Sequence, residues 1–364
     1  MSQDAPTAIA PDGALLAAGD GPELLAWRND GAPSWKAFTE GILVGVVVGL
    51  EHVVTVDTDG RLCRWRRGDG ELVSTQRISQ APTGLILASD GRSIAIVTPD
   101  GPVVEFPHGL QLVPVPDTTA AAFGPEGAIG VGKADGTFTA IELMSGAAWG
   151  TIKLGARVGA VAWSSLGSWL VGCELVLYRV SGDGTTMQAS IPGADKPITW
   201  LACAQNGLIA AARAGEHAEL WELHGNRPLG EFVLRRPITS VWFGPALMLG
   251  IGLEDGDANW VDLATGASFR TEPHPGRARN TWRLENRVDV GAVRGAIAMH
   301  HAGGSPIARY VPRPDPDDGG GGGCLAGCIS IASMLGLLTA MCGGLLLLMY
   351  ILRTYDLWRY LPIR

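Results

Sequence analysis

Short apolar segments alternate with glycine-containing turns along most of the chain, and this pattern returns about every 39 residues. In residues 54–70 an apolar run precedes the turn Asp59-Gly60, and the large residue Trp65 follows five positions after the turn glycine. Glycine supplies the positive φ that tight turns need. Apolar residues that alternate, or run for about four to six positions, have the period and length of strands. The pattern predicts a repeated array of β-strands and no soluble helix.

Seven copies of the repeat align on one large residue, with spacings of 38, 41, 35, 37, 43 and 40 residues. A fixed period of this length is typical of repeat architectures. We interpret the aligned residue as part of the third strand of a four-stranded blade, where large side chains pack between blades. The aligned residues are Trp27, Trp65, Phe106, Ile141, Tyr178, Trp221 and Val261.

The repeat resembles the WD40 family and its bacterial propeller relatives, over residues 7–271. The closing Trp-Asp pair of that family is similar to Trp27-Arg28, Trp65-Arg66 and Trp221-Glu222. The resemblance implies an all-β, WD40-like β-propeller, which we place at residues 1–312. Seven blades are expected, with eight as the alternative, because residues 288–311 read as a closing segment or an eighth blade. Its three expected strands are Val288 to Val293, Ala296 to His301 and Pro306 to Val311.

The C-terminal part has a different composition. Residues 313–323 form a linker rich in Pro, Asp and Gly, and residues 324–352 contain no charged residue. Because about 20 apolar residues suffice to cross a bilayer, residues 324–352 are predicted to form one transmembrane α-helix. Residues 353–364 are a short basic, aromatic tail. Small residues recur at every fourth position of the apolar segment and are candidates for helix packing and self-association. They include Cys328, Ala332, Gly336, Ala340 and Gly344.

Charge and cysteine usage limit the class of protein. The net charge of −8 argues against a nucleic-acid-binding surface. No secretory signal is visible at the start, and the six cysteines have no disulfide or metal-site spacing. The high Ala, Gly, Arg and Pro usage suggests a bacterial source. We therefore expect a single-pass, C-terminally anchored membrane protein with its propeller in the cytoplasm.

Motifs that suggest chemistry are weak. Residues 127–133 match the glycines and lysine of a phosphate-binding loop, but Ala134 replaces the Mg²⁺-binding Ser or Thr, and the segment is predicted to be a strand. Asp57 and Asp59 lack the remaining ligands of a Ca²⁺ loop and are better explained by turn chemistry. The pair His300-His301 would point to opposite faces of a strand. We predict no catalytic residue, metal or cofactor.

The remaining candidates for function are loops on one predicted face of the ring, since propellers bind partners at their rims and mouths. We expect this face to be acidic around most of the ring and of mixed charge in one sector. The leading hypothesis is a scaffold for protein partners. The alternative is an enzyme or ligand sensor with its site in the central channel, although the first strands of the blades are apolar. The candidate surface comprises Arg157, Lys196, Arg235, Arg236, Asp59, Asp100, Asp135 and Asp255.

Overall fold

The computed structural model describes residues 6–10, 15–28 and 32–271, then 285, 286, 288, 290, 292–294 and 296. Within the range 32–271, residues 126, 165, 193–195, 205, 235, 245–246 and 255–256 are not described. The described residues form seven sheets, and in each sheet consecutive strands pair antiparallel in the order a, b, c, d. We number the sheets 1 to 7 along the chain.

The first four sheets cover residues 7–153. Short, apolar runs of four to six residues, each ended by a turn, give strands of this length. Sheet 1 contains β1 (Thr7–Ile9), β2 (Leu15–Asp20), β3 (Glu23–Arg28) and β4 (Pro33–Phe38). Sheet 2 contains β5 (Leu43–Val48), β6 (His52–Asp57), β7 (Arg61–Arg66) and β8 (Leu72–Arg77). Sheet 3 contains β9 (Gly84–Leu87), β10 (Ile94–Val97), β11 (Val103–Phe106) and β12 (Gly109–Leu112). Sheet 4 contains β13 (Thr118–Phe123), β14 (Ala128–Lys133), β15 (Thr137–Glu142) and β16 (Ala148–Lys153).

The last three sheets follow the same plan, with one addition. Sheet 5 contains β17 (Val158–Trp163), β18 (Ser168–Cys173), β19 (Val176–Ser181) and β20 (Met187–Pro192). Sheet 6 contains β21 (Ile198–Cys203), β22 (Leu208–Arg213), β23 (His217–Glu222) and β24 (Arg227–Val233), to which β29 (Glu285–Asn286) adds a fifth strand. Sheet 7 contains β25 (Ile238–Phe243), β26 (Met248–Leu253), β27 (Ala258–Asp262) and β28 (Ser268–Thr271).

The number of blades needs correction. The sequence predicts seven four-stranded blades, whereas the structure contains six. The remaining sheet, sheet 6, has five strands. No eighth blade is present in the described part of the chain. The fifth strand, β29, pairs antiparallel with the outer strand β24, with Asn286 opposite Phe232 and Glu285 opposite Val233.

The predicted closing strands are also wrong where they can be compared. Residues 290, 292–294 and 296 are helical. Val293 and Ala296 are buried in the core of sheets 6 and 7, and Val288 and Ala292 pack beside them. The spacing of 288, 292 and 296 is four residues, so these side chains share a helix face. The apolar residues of this segment also alternate with other residues, and this alternation predicts a strand. Strand β1 contacts β25 and β26 directly, so sheets 1 and 7 meet without sharing a strand.

Large side chains pack between neighbouring sheets, as the repeat predicted, but in sheet 5 the residue equivalent to the others is not the one predicted. In sheets 1, 2, 4 and 6 the third strand shifts register at the aligned residue, for example between Arg64 and Trp65. In sheet 5 this shift lies between Arg179 and Val180, so Val180 is the equivalent residue and the assignment of Tyr178 is wrong. Trp169 on strand b pairs directly with Val180 on strand c and is fully buried. In sheet 5 the large aromatic side chain therefore lies on strand b instead of strand c.

No helix among the described residues is long and apolar enough to span a membrane. The predicted linker 313–323, the apolar segment 324–352 and the tail 353–364 lie outside the described residues, as do Cys328, Ala332, Gly336, Ala340 and Gly344. The pair His300-His301 also lies outside them.

Candidate functional site

One face of the ring is built by two kinds of loop that hydrogen-bond to each other. The loop that enters strand a of one sheet donates to, or accepts from, the turn between strands b and c. Examples are Thr58 N to Ile42 O at 2.8 Å, Ala134 N to Asp117 O at 2.9 Å and Ala214 N to Pro197 O at 2.8 Å. We call this face the upper face. The two groups of predicted surface residues therefore lie on the same side of the ring.

At sheet 2, the charges of the upper face mainly build the turn. Asp57 is buried, and its Oδ1 accepts hydrogen bonds from the backbone N–H groups of Asp59 and Arg61, both at 2.9 Å. The Arg61 guanidinium forms ion pairs with Glu40 and, at 3.9 Å, with Asp59. The carboxylates that suggested a cation site are thus engaged in turn geometry and ion pairing.

At sheet 4, Asp135 is engaged in the same way. Its carboxylate lies 2.7 Å from Lys153 Nζ and accepts a hydrogen bond from the N–H of Thr137 at 2.9 Å. The hydrogen bond from Lys153, followed by those from Thr137, holds the pKa of Asp135 well below its usual range. At sheet 3, Asp100 contributes its backbone carbonyl to the N–H of Val115 at 3.0 Å.

Sheets 5 and 6 meet differently at the upper face. The N–H of Ile198 donates to the carbonyl of Glu174 at 2.7 Å, which joins the start of β21 to the b–c turn of sheet 5. A Cβ atom added to Gly159 would lie 2.1 Å from the Ile198 carbonyl oxygen, so only glycine permits this approach of β17 to β21. Ile198 is therefore the point where three segments of the upper face converge.

Four residues lie within two positions along the chain of the residues that meet here. Trp200 is 39% exposed on the innermost strand of its sheet, and Leu175 is 42% exposed in the b–c turn of sheet 5. Trp200 pairs with Ala212, which packs against sheet 7, so its side chain lies on the other side of sheet 6 from Leu175. Arg157 is exposed and Lys196 half-buried, and neither forms an ion pair within the described part of the chain. We call the set Arg157, Leu175, Lys196 and Trp200 the junction sector.

A β-bulge precedes Trp200. Strand β21 shifts register against β22 between Ile198 and Trp200, which leaves Thr199 as the extra residue. Thr199 and Trp200 are both exposed, whereas Gly45, Ala160 and Ser240 are buried at the position equivalent to Trp200. Four other sheets have the same bulge, and the residue at the Trp200 position is always small. These residues are Gly45, Ala120, Ala160 and Ser240.

A buried ion pair holds the backbone of Lys196. Arg213, 1% exposed, donates to the carbonyl of Lys196 at 2.7 Å and to Glu219 Oε2 at 2.8 Å. The indole N–H of Trp221 donates to the same carboxylate oxygen at 3.1 Å. Because the guanidinium holds the backbone of Lys196, the loop that carries this lysine is fixed relative to sheet 6.

The described a strands, which are the innermost of each sheet, contain no Asp, Glu, Lys, Arg or His. The alternative hypothesis, a catalytic or ligand site in the channel, requires clustered polar groups on these strands. Strand β17, Val158 to Trp163, is representative of their apolar character. Within the described part of the chain, the a strands therefore supply no charged side chain or imidazole to a channel site.

The other chemical motifs are parts of the scaffold. The segment that resembles a phosphate-binding loop includes strand β14, as predicted. The described residues contain no group of three or more His, Cys, Asp or Glu side chains that could hold a metal ion. Burial raises the pKa of the Cys173 thiol to about 12, and burial also raises the pKa of Cys63. Both thiols are therefore protonated and poorly nucleophilic near neutral pH.

The remaining predicted surface residues are distributed as follows. Arg236 lies in the loop between β24 and β25, on the upper face, and is half-buried. Arg235 and Asp255 lie outside the described residues. Trp200 and Leu175 were not among the candidates, because an alternating apolar strand gives no sign of a bulge. A comparison of the repeats could have revealed Trp200, because the equivalent residue is small in four other repeats and is a tryptophan only here.

The comparisons with known proteins find fold relatives only. No protein-family model and no curated protein matches the chain. The Cps50 (Swd1) β-propeller domain of Myceliophteria thermophila is 12% identical, with a TM-score of 0.60, over 70% of this chain and 95% of that one. Sqt1 of Saccharomyces cerevisiae is 16% identical, with a TM-score of 0.58, over 80% and 95%. The computationally designed protein Ika8 is 17% identical, with a TM-score of 0.54, over 68% and 80%. These likenesses show a WD40-like β-propeller fold.

Proposed function

We propose that this protein is a non-catalytic, membrane-tethered propeller that scaffolds a protein complex at the cytoplasmic face of a bacterial membrane. The ring provides the binding surface, and the apolar segment 324–352 provides the attachment to the lipid bilayer. The proposed partner is a protein, because the upper face offers charged turns and exposed apolar side chains. WD40-like rings are suited to this role, since their blades are rigid and their loops vary.

Trp200 is the observation that carries the proposal. Four equivalent positions hold Gly, Ala or Ser, so the scaffold does not need a large side chain there. Tryptophan is enriched at the energetic centres of protein interfaces, which makes this position a candidate contact for a partner.

Affinity capture from detergent-solubilised membranes tests the scaffold role. The full chain with an affinity tag should recover a specific protein partner, and Trp200→Ala should reduce its recovery. The control is Trp149→Ala, which removes another exposed tryptophan, on the outer strand β16. Recovery of the same proteins by wild type and Trp200→Ala, together with turnover or a co-purifying cofactor, would support an enzyme or sensor instead.

The tether has separate tests. Protease added to intact spheroplasts should spare an epitope at residue 2 and digest it only after lysis, because the ring is proposed to be cytoplasmic. Gly336→Ile and Ala340→Ile should lower self-association of the apolar segment in a membrane two-hybrid assay, since large side chains keep two helices apart. Digestion without lysis would place the ring on the other side, and an unchanged two-hybrid signal would remove self-association from the proposal.

A further inference from the structure

We propose that the outer edge of strand β8 in sheet 2 is a second docking site, and that it takes an extended, acidic segment of a partner protein as an added antiparallel strand. We call residues 72–77 the β8 edge. The inference rests on the proposed scaffold function, because a scaffold needs a surface besides Trp200 to bring a second protein to the ring.

Sheet 6 shows what the outer strand of a blade in this chain can bind. Its outer strand, β24, pairs antiparallel with β29, which places Glu285 opposite Val233. Leu229, the bulged residue of β24, is 5% exposed and belongs to the same buried core as Val293. A later segment of the chain thus covers this strand, both by backbone pairing at its edge and by apolar packing.

Strand β8 is the equivalent strand of sheet 2 and lacks such a cover. The register against strand c places Val73 at the position of Leu229 and Arg77 at the position of Val233. In contrast to Leu229, Val73 is 49% exposed, and so is Leu72 before it. Sheet 2 ends at β8 in the described part of the chain, so the edge is open there.

The other outer strands carry features that protect a sheet edge. Natural sheets blunt exposed edges with lysine, with proline or by shortening the strand. Strands β12 and β28 have only four residues each. Lys36 lies on β4, Lys153 on β16 and Pro192 on β20. Among the uncovered outer strands that the structure describes, β8 alone has six residues with neither lysine nor proline.

The backbone groups of the β8 edge are placed to pair with another strand. The N–H of Ile78 donates to the carbonyl of Gly60 at 2.9 Å and therefore faces the side of β7. Backbone groups of successive residues in a strand point alternately to its two sides. The N–H and carbonyl groups of Thr75 and Arg77 therefore point outward, where an added strand can bind them.

The charge of the edge favours an acidic segment. Arg77 is exposed and forms no ion pair within the described part of the chain. Arg61, directly opposite Arg77 on β7, is already paired with Glu40 and Asp59. A residue opposite Arg77 on an added strand lies on the same face of the sheet, so a carboxylate there can pair with the guanidinium. The covering strand of sheet 6 carries a glutamate, Glu285, at the equivalent position.

Binding of fluorescent peptides to the full chain in detergent tests the proposal. One probe has eight residues, in which threonine and valine alternate around a central glutamate, and the second has lysine in place of the glutamate. Fluorescence anisotropy should show that wild type binds the glutamate peptide about two- to fivefold more tightly, as for an exposed ion pair. Arg77→Glu should reverse this preference. The control Arg92→Glu makes the same change of charge in the a–b turn of sheet 3 and should keep it.

A proline substitution tests the backbone pairing. Thr75→Pro removes an outward N–H and should abolish peptide binding while circular dichroism shows a folded ring, whereas Thr75→Ala should bind like wild type. No binding of either peptide to wild type, a preference for the lysine peptide, or the same affinity in Thr75→Pro and Thr75→Ala would overturn the inference. A wild-type dimer that Thr75→Pro dissociates would assign the edge to a second copy and would also overturn it. Partner recovery that depends on Trp200 would, in each of these cases, leave the scaffold function standing.

Discussion

The upper face carries charged side chains at both sheet 2 and the junction sector, but they are used in different ways. At sheet 2, Asp57 holds backbone N–H groups, and Arg61 pairs with Glu40 and Asp59 of its own turn region. In the junction sector, Arg157 and Lys196 have no ion-pair partner in the described part of the chain. A charged side chain in a turn is therefore a candidate for partner binding only when it does not already form an ion pair or hydrogen bond within the chain.

The largest effect should come from the ion pair below the junction sector. Arg213→Met leaves Glu219 without its cation, in a side chain that is 13% exposed. Loss of one partner of a buried ion pair costs about 3–5 kcal/mol. Urea unfolding of the full chain in detergent should show this loss. The double variant Arg213→Met with Glu219→Gln should be more stable than the single variant, and equal stability would show that the pair does not matter.

The turn at sheet 2 should respond less. Asp57→Ala removes the acceptor of two backbone hydrogen bonds, and we expect a loss of about 2 kcal/mol in the free energy of unfolding. Asp57→Asn keeps one acceptor oxygen and is the matched control. Recovery of the partner protein by the folded Asp57→Ala protein should stay at the wild-type level, since Asp57 lies in sheet 2 and Trp200 in sheet 6. A binding loss without a stability loss would reverse the roles assigned to the two regions.

Removal of the surface ion pairs at sheet 2 should matter little. Arg61→Ala breaks contacts with Glu40, whose side chain is largely exposed, and with Asp59. Exposed pairs are worth about 0–1 kcal/mol. The unfolding midpoint should change less than in Arg213→Met. An effect as large as that of Arg213→Met would mean that burial does not distinguish the two pairs.

The smallest effect concerns acid pH at sheet 4. The pKa of Asp135 is lowered in the folded protein, so its contribution to stability is present above the ordinary aspartate pKa of about 3.9 and is lost as the pH falls below it. Asp135→Asn should remove a small part of this acid sensitivity, because the pair with Lys153 is exposed. Thermal unfolding of both proteins between pH 6 and pH 3 measures it. A larger stability difference at pH 3 than at pH 6 would contradict the assigned direction.

Much of the ring could be predicted from the sequence because its turns require particular residues. Asp59-Gly60 and Asp135-Gly136 are turns between strands b and c, with φ of 76° and 85° at the glycines. These turns and the loops into strand a were assigned to one face, which the hydrogen bonds of the upper face confirm.

The errors arose where one pattern serves two structures. The valines and alanines of residues 288–296 alternate and also recur every fourth residue, and burial against sheets 6 and 7 favours the helix. The size of Tyr178 makes it the best match to the large aligned residue of the other repeats, whereas sheet 5 has its large buried residue, Trp169, on strand b. Gly124 and Gly130 make room for it, since a Cβ at either position would lie under 3 Å from the indole. When a large residue on one strand replaces a large residue on the neighbouring strand, the sequence pattern of either strand alone does not reveal it.

The junction sector could be predicted only in part. The positions of Arg157 and Lys196 in the loops into strand a predict that they lie on the upper face, in a sector of mixed charge. The absence of ion-pair partners for them in the described part of the chain and the exposure of Trp200 depend on how separate segments pack at the upper face. These are contacts between segments distant in sequence, so the order of residues alone does not define them.

The most direct test of the account replaces Trp200 with a photo-crosslinking phenylalanine derivative in the full chain and irradiates intact cells. The account predicts a protein adduct at position 200 that is absent when the same group replaces Trp149. An adduct of equal yield at both positions, or none at position 200, would contradict the claim that the surface around Trp200 binds a partner protein.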